Sequence, residues 1–333
     1  MSRSALVVAA ALFALGALVW LLTTGGDAPT PAPVQAVTPA GTSAPAPATN
    51  AAPPAPPAST PRAAPGQPAR ITTREEFIQA LKARGLDGEK ALAAYRDWRV
   101  AKGFLGADPL TGVTAENAPS QVYAAMDRPT QKALADSGDM GAMQAYAAGS
   151  LPGDPFTAVE YYGRASRLGS AAAMGEIAGI LADIGGMELG DVMNDRPFAD
   201  KLLDLRGGDP DRDLRQDAAA WTLAAIRLHG PIVATAGNLE LVEGLGRSPD
   251  KAFLAGICGK SLAILADLST SSAVRDGGSL PPAFPAEKNL YDRLPCRDTP
   301  APVMPPRALE RCTPSPATGS ANQPVELWIC EGN

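Results

Sequence analysis

Several stretches of this sequence carry residue types that could do chemistry. Gly256-Ile-Cys-Gly-Lys260-Ser261 has the Gly-Lys-Ser end of a phosphate-cradling loop, in which backbone amides and the lysine would hold nucleotide phosphates. Its first glycine should stand where Leu254 is, and the segment lies in an apolar helical run rather than after a strand. Asp209, Asp211 and Asp213 have the spacing that opens a calcium loop. Leu214 then replaces the turn glycine and Ala220 the bidentate Glu, so a solvated turn with one acid capping the next helix fits better. Ser248 lacks the second glycine of a nucleophile elbow. His229 is the one histidine, which excludes any site built on two, and it ends a helical segment where a basic side chain suits the helix dipole. No local pattern selects two carboxylates for glycoside cleavage. These readings point to a non-enzyme that needs no cofactor and no metal.

Cys258, Cys296, Cys312 and Cys330 form no CxxC and have no histidine among them, which argues against a metal and for disulfides. Four cysteines allow three pairings. Cys296–Cys312 with Cys258–Cys330 is preferred, because the second bridge would tie the chain end to the last helix.

The elements that must position these residues are divided by the prolines. Of 33 prolines in 333 residues, 13 lie between Asp27 and Ala69 and 11 between Pro281 and Pro324. The middle is the candidate folded body, long enough for a sizeable core. The formal net charge of -6 lacks the basic surface that nucleic acid requires, so no nucleic-acid partner is expected.

Ala5 to Leu22 holds 18 residues without a charge. As a helix it spans about 27 Å, close to a hydrocarbon core. Arg3 before it and Asp27 after it place residues 1–4 in the cytoplasm and the remainder outside. The rival reading is a cleaved signal, with secretion to the periplasm. The retained anchor is preferred, because the apolar run is long and no A-x-A site follows. Residues 27–69 are a spacer in which 27 of 43 residues are Pro or Ala. They have little to bury and favour extended polyproline II.

The body reads as short helices. Thr72 and Thr73 stand before Glu75 and Glu76 at capping-box spacing, Phe77, Ile78 and Leu81 supply one apolar face, and Gly85 suits a C-terminal cap. Asp87 opens a second helix bearing Leu92, Tyr95 and Trp98, and Gly103 ends it. An internal match follows. Ala158, Tyr161, Ala165 and Gly169 align with Ala218, Trp221, Ala225 and Gly230 at an offset of 60, with one inserted residue before the last glycine. Gly138-Asp139-Met-Gly-Ala142-Met143 is echoed by Gly169-Ser170-Ala-Ala-Ala173-Met174 at an offset of 31, near the period of helix–turn–helix repeats. Lys251–Leu268 is the closing helix, and Val325–Cys330 alternates enough for one short strand or a docked extended segment.

The stretch Gly138-Asp139-x-x-Ala142, then Asp154-Pro155-x-x-Ala158-x-x-Tyr161-Tyr162-x-x-Ala165-x-x-x-Gly169, resembles a Sel-one-like repeat, a relative of the tetratricopeptide repeat. Asp217–Gly230 resembles the second half of a unit. The resemblance covers about 35 residues well and about 15 partly, and it implies a scaffold for protein–protein contacts of the bacterial envelope. In that packing, Ala142, Ala158, Ala165, Ala218 and Ala225 let helices close in, while Tyr161 and Trp221 fill the space between.

The expected fold is therefore all-α: short helical hairpins with tetratricopeptide-like repeats, plus a disulfide-tied extended C-terminal tail. The expected divisions are an anchor over 1–26, a linker over 27–70, a helical domain over 71–280 and a Pro-rich tail over 281–333. The expected function is a membrane-anchored periplasmic scaffold for an unidentified protein partner. An enzyme or accessory factor acting on envelope polymers such as peptidoglycan is the alternative, and a spacer without a stable partner groove is the third reading.

Overall fold

A computed structural model describes residues 68–331, except 105, 109–110, 112–118, 152, 235, 249, 271–279 and 300–301. The apolar segment 5–22 and nearly all of the Pro/Ala-rich linker lie outside the described residues. Among the described residues no helix is long and apolar enough to cross a membrane.

The chain enters through a two-residue strand, β1 (Ala69–Arg70), then forms α1 (Arg74–Lys82) and α2 (Gly88–Ala101). Thr73 caps α1 by accepting from the Glu76 amide, while the Glu76 carboxylate accepts from the Thr72 amide and hydroxyl. Asp87 caps α2. Gly85 and Gly103 end the two helices at φ of 78° and 79°, where a side chain would strain the backbone. Phe77 and Tyr95 stack across the pair at 5.7 Å.

A row of helices follows: α3 (Pro119–Ala124), α4 (Arg128–Asp136), α5 (Met140–Ser150), α6 (Pro155–Arg167) and α7 (Ala171–Gly185). Then come α8 (Leu189–Val192), α9 (Arg196–Leu205), α10 (Leu214–His229), α11 (Ala236–Gly246) and α12 (Lys251–Leu268). Sequence neighbours from α4 to α7 pack side by side. The next partner of α7 is α10 rather than α8, so α8 and α9 are inserted between two paired helices. Alanines make that pairing close: Ala173 and Ala178 on α7, and Ala218, Ala219, Ala220 and Ala224 on α10, are all buried. A Cβ on Gly185 would stand 2.8 Å from the Arg215 backbone nitrogen, so a larger residue there would push α10 away. The inserted α9 folds back on α6, with Phe198 edge-on to Phe156 at 5.0 Å and Lys201 2.8 Å from Asp154.

Two apolar clusters share α7 and α10. One gathers α4–α7, α9 and the start of α10. The other gathers α1, α2, the rest of α10, α11, α12 and the C-terminal segment.

The expectation of an all-α fold with an extended tail is corrected here. The protein is mostly helical but closes with a four-stranded sheet of order β1-β3-β4-β2. Its later strands are β2 (Ala283–Glu287), β3 (Cys312–Thr318) and β4 (Pro324–Cys330), and a short helix, α13 (Leu290–Arg293), follows β2. The strand expected at Val325–Cys330 is thus the centre of a sheet. β2 and β3 flank it antiparallel, and β1 joins β3 in parallel with Ala69 opposite Ala317. Phe284 and Trp328 stack across β2 and β4.

Prolines in β3 fit because their backbone nitrogens face away from β4. Cys312 lies opposite Cys330, whose amide points the other way and donates to the Pro282 carbonyl at 2.8 Å. By alternation, positions 314 and 316 point their backbone nitrogens away from β4, and both are proline. The free edge of β3 therefore offers no amide at these places to a foreign strand.

The preferred cysteine pairing is also corrected. The bridges are Cys258–Cys296 and Cys312–Cys330. The first ties α12 to the turn after α13. The second closes the β3–β4 hairpin, because the strand register sets its two cysteines side by side.

Candidate functional site

The offset-31 match falls on two helix starts, whereas the offset-60 match is one residue out of step at the caps Asp154 and Asp213. Asp139 caps α5 by accepting from the Ala142 amide, and Ser170 caps α7 by accepting from the Ala173 amide. Ala142 and Ala173 are both fully buried. On α6 and α10, Ala158, Ala165, Ala218 and Ala225 are buried where helices meet. Gly169 and Gly230 end these two helices at φ of 92° and 80°. Asp213 caps α10 and binds Arg215.

The aromatics differ between the two copies. Tyr161 and Tyr162 are buried, and burial pushes the Tyr162 hydroxyl well above the ordinary range. The Tyr161 hydroxyl donates to Asp136 at 2.7 Å, and its ring meets Tyr146 edge-on at 4.7 Å. Trp221, in the position equivalent to Tyr161, is only half-buried and touches both apolar clusters.

Trp221 forms part of a cleft of about 310 Å³ above α10, between α6 and α12. Val159, Leu181, Leu205, Leu214 and Ile264 complete its apolar lining. At one end Asp217 accepts from Arg212 through Oδ2 and from Lys260 through Oδ1, both at 2.6 Å. One carboxylate thus joins two cations, and a positive charge is left over. Arg212 is held by its loop, where the buried Arg206 donates to the Pro210 and Met187 carbonyls at 2.6 Å each. Asp217 and Trp221 are one turn apart on α10, and Lys260 and Ile264 are one turn apart on α12. Each helix therefore contributes a charged end and an apolar end at the same spacing.

The motifs set aside in the sequence have structural work. Lys260 belongs to α12 and pairs with Asp217, Ser261 is buried and donates to the Cys258 carbonyl, and Cys258 is in a disulfide. The Asp209 carboxylate accepts from the Asp211 amide. Among the described residues no group of three or more His, Cys, Asp or Glu is placed to hold a metal ion. His229 is buried at the end of α10, and neither ring nitrogen has a hydrogen-bond partner among the described residues. Burial, with the Lys102 ammonium adding to it, pulls its pKa down to about 3.

Sequence reasoning found Trp221 as a packing residue but missed the cleft. Leu205, Arg212 and Ile264 carried no local signal, since the inserted α9, the loop after it and α12 bring them to Trp221 only in three dimensions. Compared with protein-family models, with curated proteins and with solved structures, the chain matches none.

Proposed function

We propose that this chain is a protein–protein interaction scaffold of the Sel-one-like repeat type, held at the membrane by residues 5–22 with its folded body on the periplasmic side. The observation that carries this reading is the cleft above α10, where Trp221 lies half-buried in an apolar lining with charge at one end. Sites of this size and make-up receive side chains of partners. The two disulfides support an oxidising compartment for the body.

The reading is tested in cells with a photo-reactive amino acid at Ala263, which lines the cleft and is exposed, and at Val122 on α3 as a control. A discrete protein adduct from position 263 that is missing from position 122 is expected. Equal labelling at both positions, or no adduct at 263, overturns the scaffold reading.

A further inference from the structure

The chemistry of the cleft specifies what kind of group fits it. Its apolar part is formed by Trp221, Leu214 and Ile264, and its charged part by Arg212, Lys260 and Asp217. Asp217 satisfies one donor from each cation, at 2.6 Å on both sides. A lysine ammonium has three donors and a guanidinium five, so both cations keep donors for a second acceptor. Two positive charges against one negative charge call for an anion, and the adjoining apolar lining calls for a hydrocarbon or aromatic group.

The distance between the two parts narrows the choice. Asp217 and Trp221 on α10, and Lys260 and Ile264 on α12, are each one helical turn apart, about 5–6 Å between Cβ atoms. The charged and apolar parts of the cleft thus adjoin on both helices, which suits a ligand whose anion and apolar group hang close together. In the last residue of a polypeptide, carboxylate and side chain hang from the same Cα. In an internal Phe-Asp or Leu-Glu pair, the neighbouring side chains hang from different Cα atoms and diverge.

We infer that this cleft binds the C-terminal residue of a polypeptide, with an apolar side chain against Trp221 and the terminal carboxylate shared by Lys260 and Arg212. The inference rests on the scaffold reading and names the part of the partner that is recognised. Asp217 here has two roles. It orients both cations, and it competes with the incoming carboxylate for them.

The experiment is calorimetry on the full chain in detergent micelles with four peptides: Ac-Ala-Ala-Phe with a free carboxylate, the same peptide amidated, Ac-Ala-Ala-Ala with a free carboxylate, and Ac-Ala-Phe-Asp-Ala amidated. The first should bind about tenfold or more tightly than each of the others, because each of them lacks the terminal charge or the ring at the required place. Lys260→Ala should weaken it about fivefold or more by removing one charge-assisted bond. Asp217→Asn should tighten it, which a purely structural ion pair would not do. Trp221→Phe, which keeps an aromatic surface, should retain binding if Trp221→Ala unfolds the cleft. Equal affinity for the acid and the amide overturns the inference, as does tighter binding of the internal Asp peptide or weaker binding by Asp217→Asn. The two readings fail separately. A position-263 adduct in cells without carboxylate-dependent binding removes only the ligand class, whereas carboxylate-dependent peptide binding without any adduct removes the scaffold.

Discussion

Asp139 and Ser170 stand 31 residues apart and do the same work, each accepting from the amide three residues ahead to start α5 and α7. Ser170 does more than cap. Its hydroxyl also accepts from Gln144 at 3.2 Å, so it joins α7 to α5. Ser170→Ala should therefore cost about 1–2 kcal/mol, a lost cap plus an unpaired buried amide. Asp139 also does more than cap, since it accepts from the Tyr123 hydroxyl at 2.8 Å, so Asp139→Ala should likewise cost about 1–2 kcal/mol. Urea unfolding checks this: the midpoint should fall by a similar amount for both, with an unchanged slope.

His229 gives the acid response a sign. Its folded pKa of about 3 is below the ordinary 6.5, so between those values the unfolded chain binds more protons than the folded one. Its contribution is fully neutral above pH 6.5 and destabilises progressively as pH falls towards 3. By pH 5 the loss should reach about 2 kcal/mol. His229→Leu should remove this slope, so the stability gap between variant and parent should shift by that amount from pH 7 to pH 5. An unchanged gap would show that the imidazole titrates normally.

The two bridges close loops of unequal length, with sequence separations of 38 for Cys258–Cys296 and 18 for Cys312–Cys330. Chain-entropy reasoning gives about 4 kcal/mol for the first and about 3 kcal/mol for the second. Non-reducing peptide mapping of native protein should find these two linkages. Replacing the Cys258–Cys296 pair by serines should lower the denaturation midpoint more than replacing the other pair.

Pro314 and Pro316 remove two donors from the outer edge of β3, next to the part that β1 covers. Replacing both by valine restores two outward amides and raises strand propensity. Sedimentation should then show concentration-dependent self-association that the parent lacks. Pro314→Lys with Pro316→Lys, which restores the amides but adds charge, should stay monodisperse.

The helices were legible because their signals are local. Thr73 and Asp87 act as caps, Phe77, Leu92 and Tyr95 are buried, and Lys251–Leu268 is one helix. The sheet was hidden because prolines at 285, 314 and 316 read as breakers, and only a strand's place in a sheet tells which way a missing amide would point. The cysteine pairing was hidden for the same reason: Cys312 meets Cys330 through strand register, a relation with no trace in spacing. Of the internal match, Ala158 and Ala218 are both buried in helices, four residues after the cap Asp154 and five after the cap Asp213. Residues 186–212, which match no repeat unit, hold α8 and α9, inserted between α7 and α10. The cleft needed that insertion to be seen, because Leu205 comes from it.

Strand β1 puts the entrance and the last strands of the body in one sheet, with Ala69 and Arg70 alongside Ala317 and Thr318. Tension drawn through the chain ahead of Ala69 is delivered along the strand direction, towards the end of the hairpin that Cys312–Cys330 locks covalently. The hairpin thus shares any load placed on β1 before the chain passes through Ile71, whose amide donates to the Thr318 carbonyl, into α1.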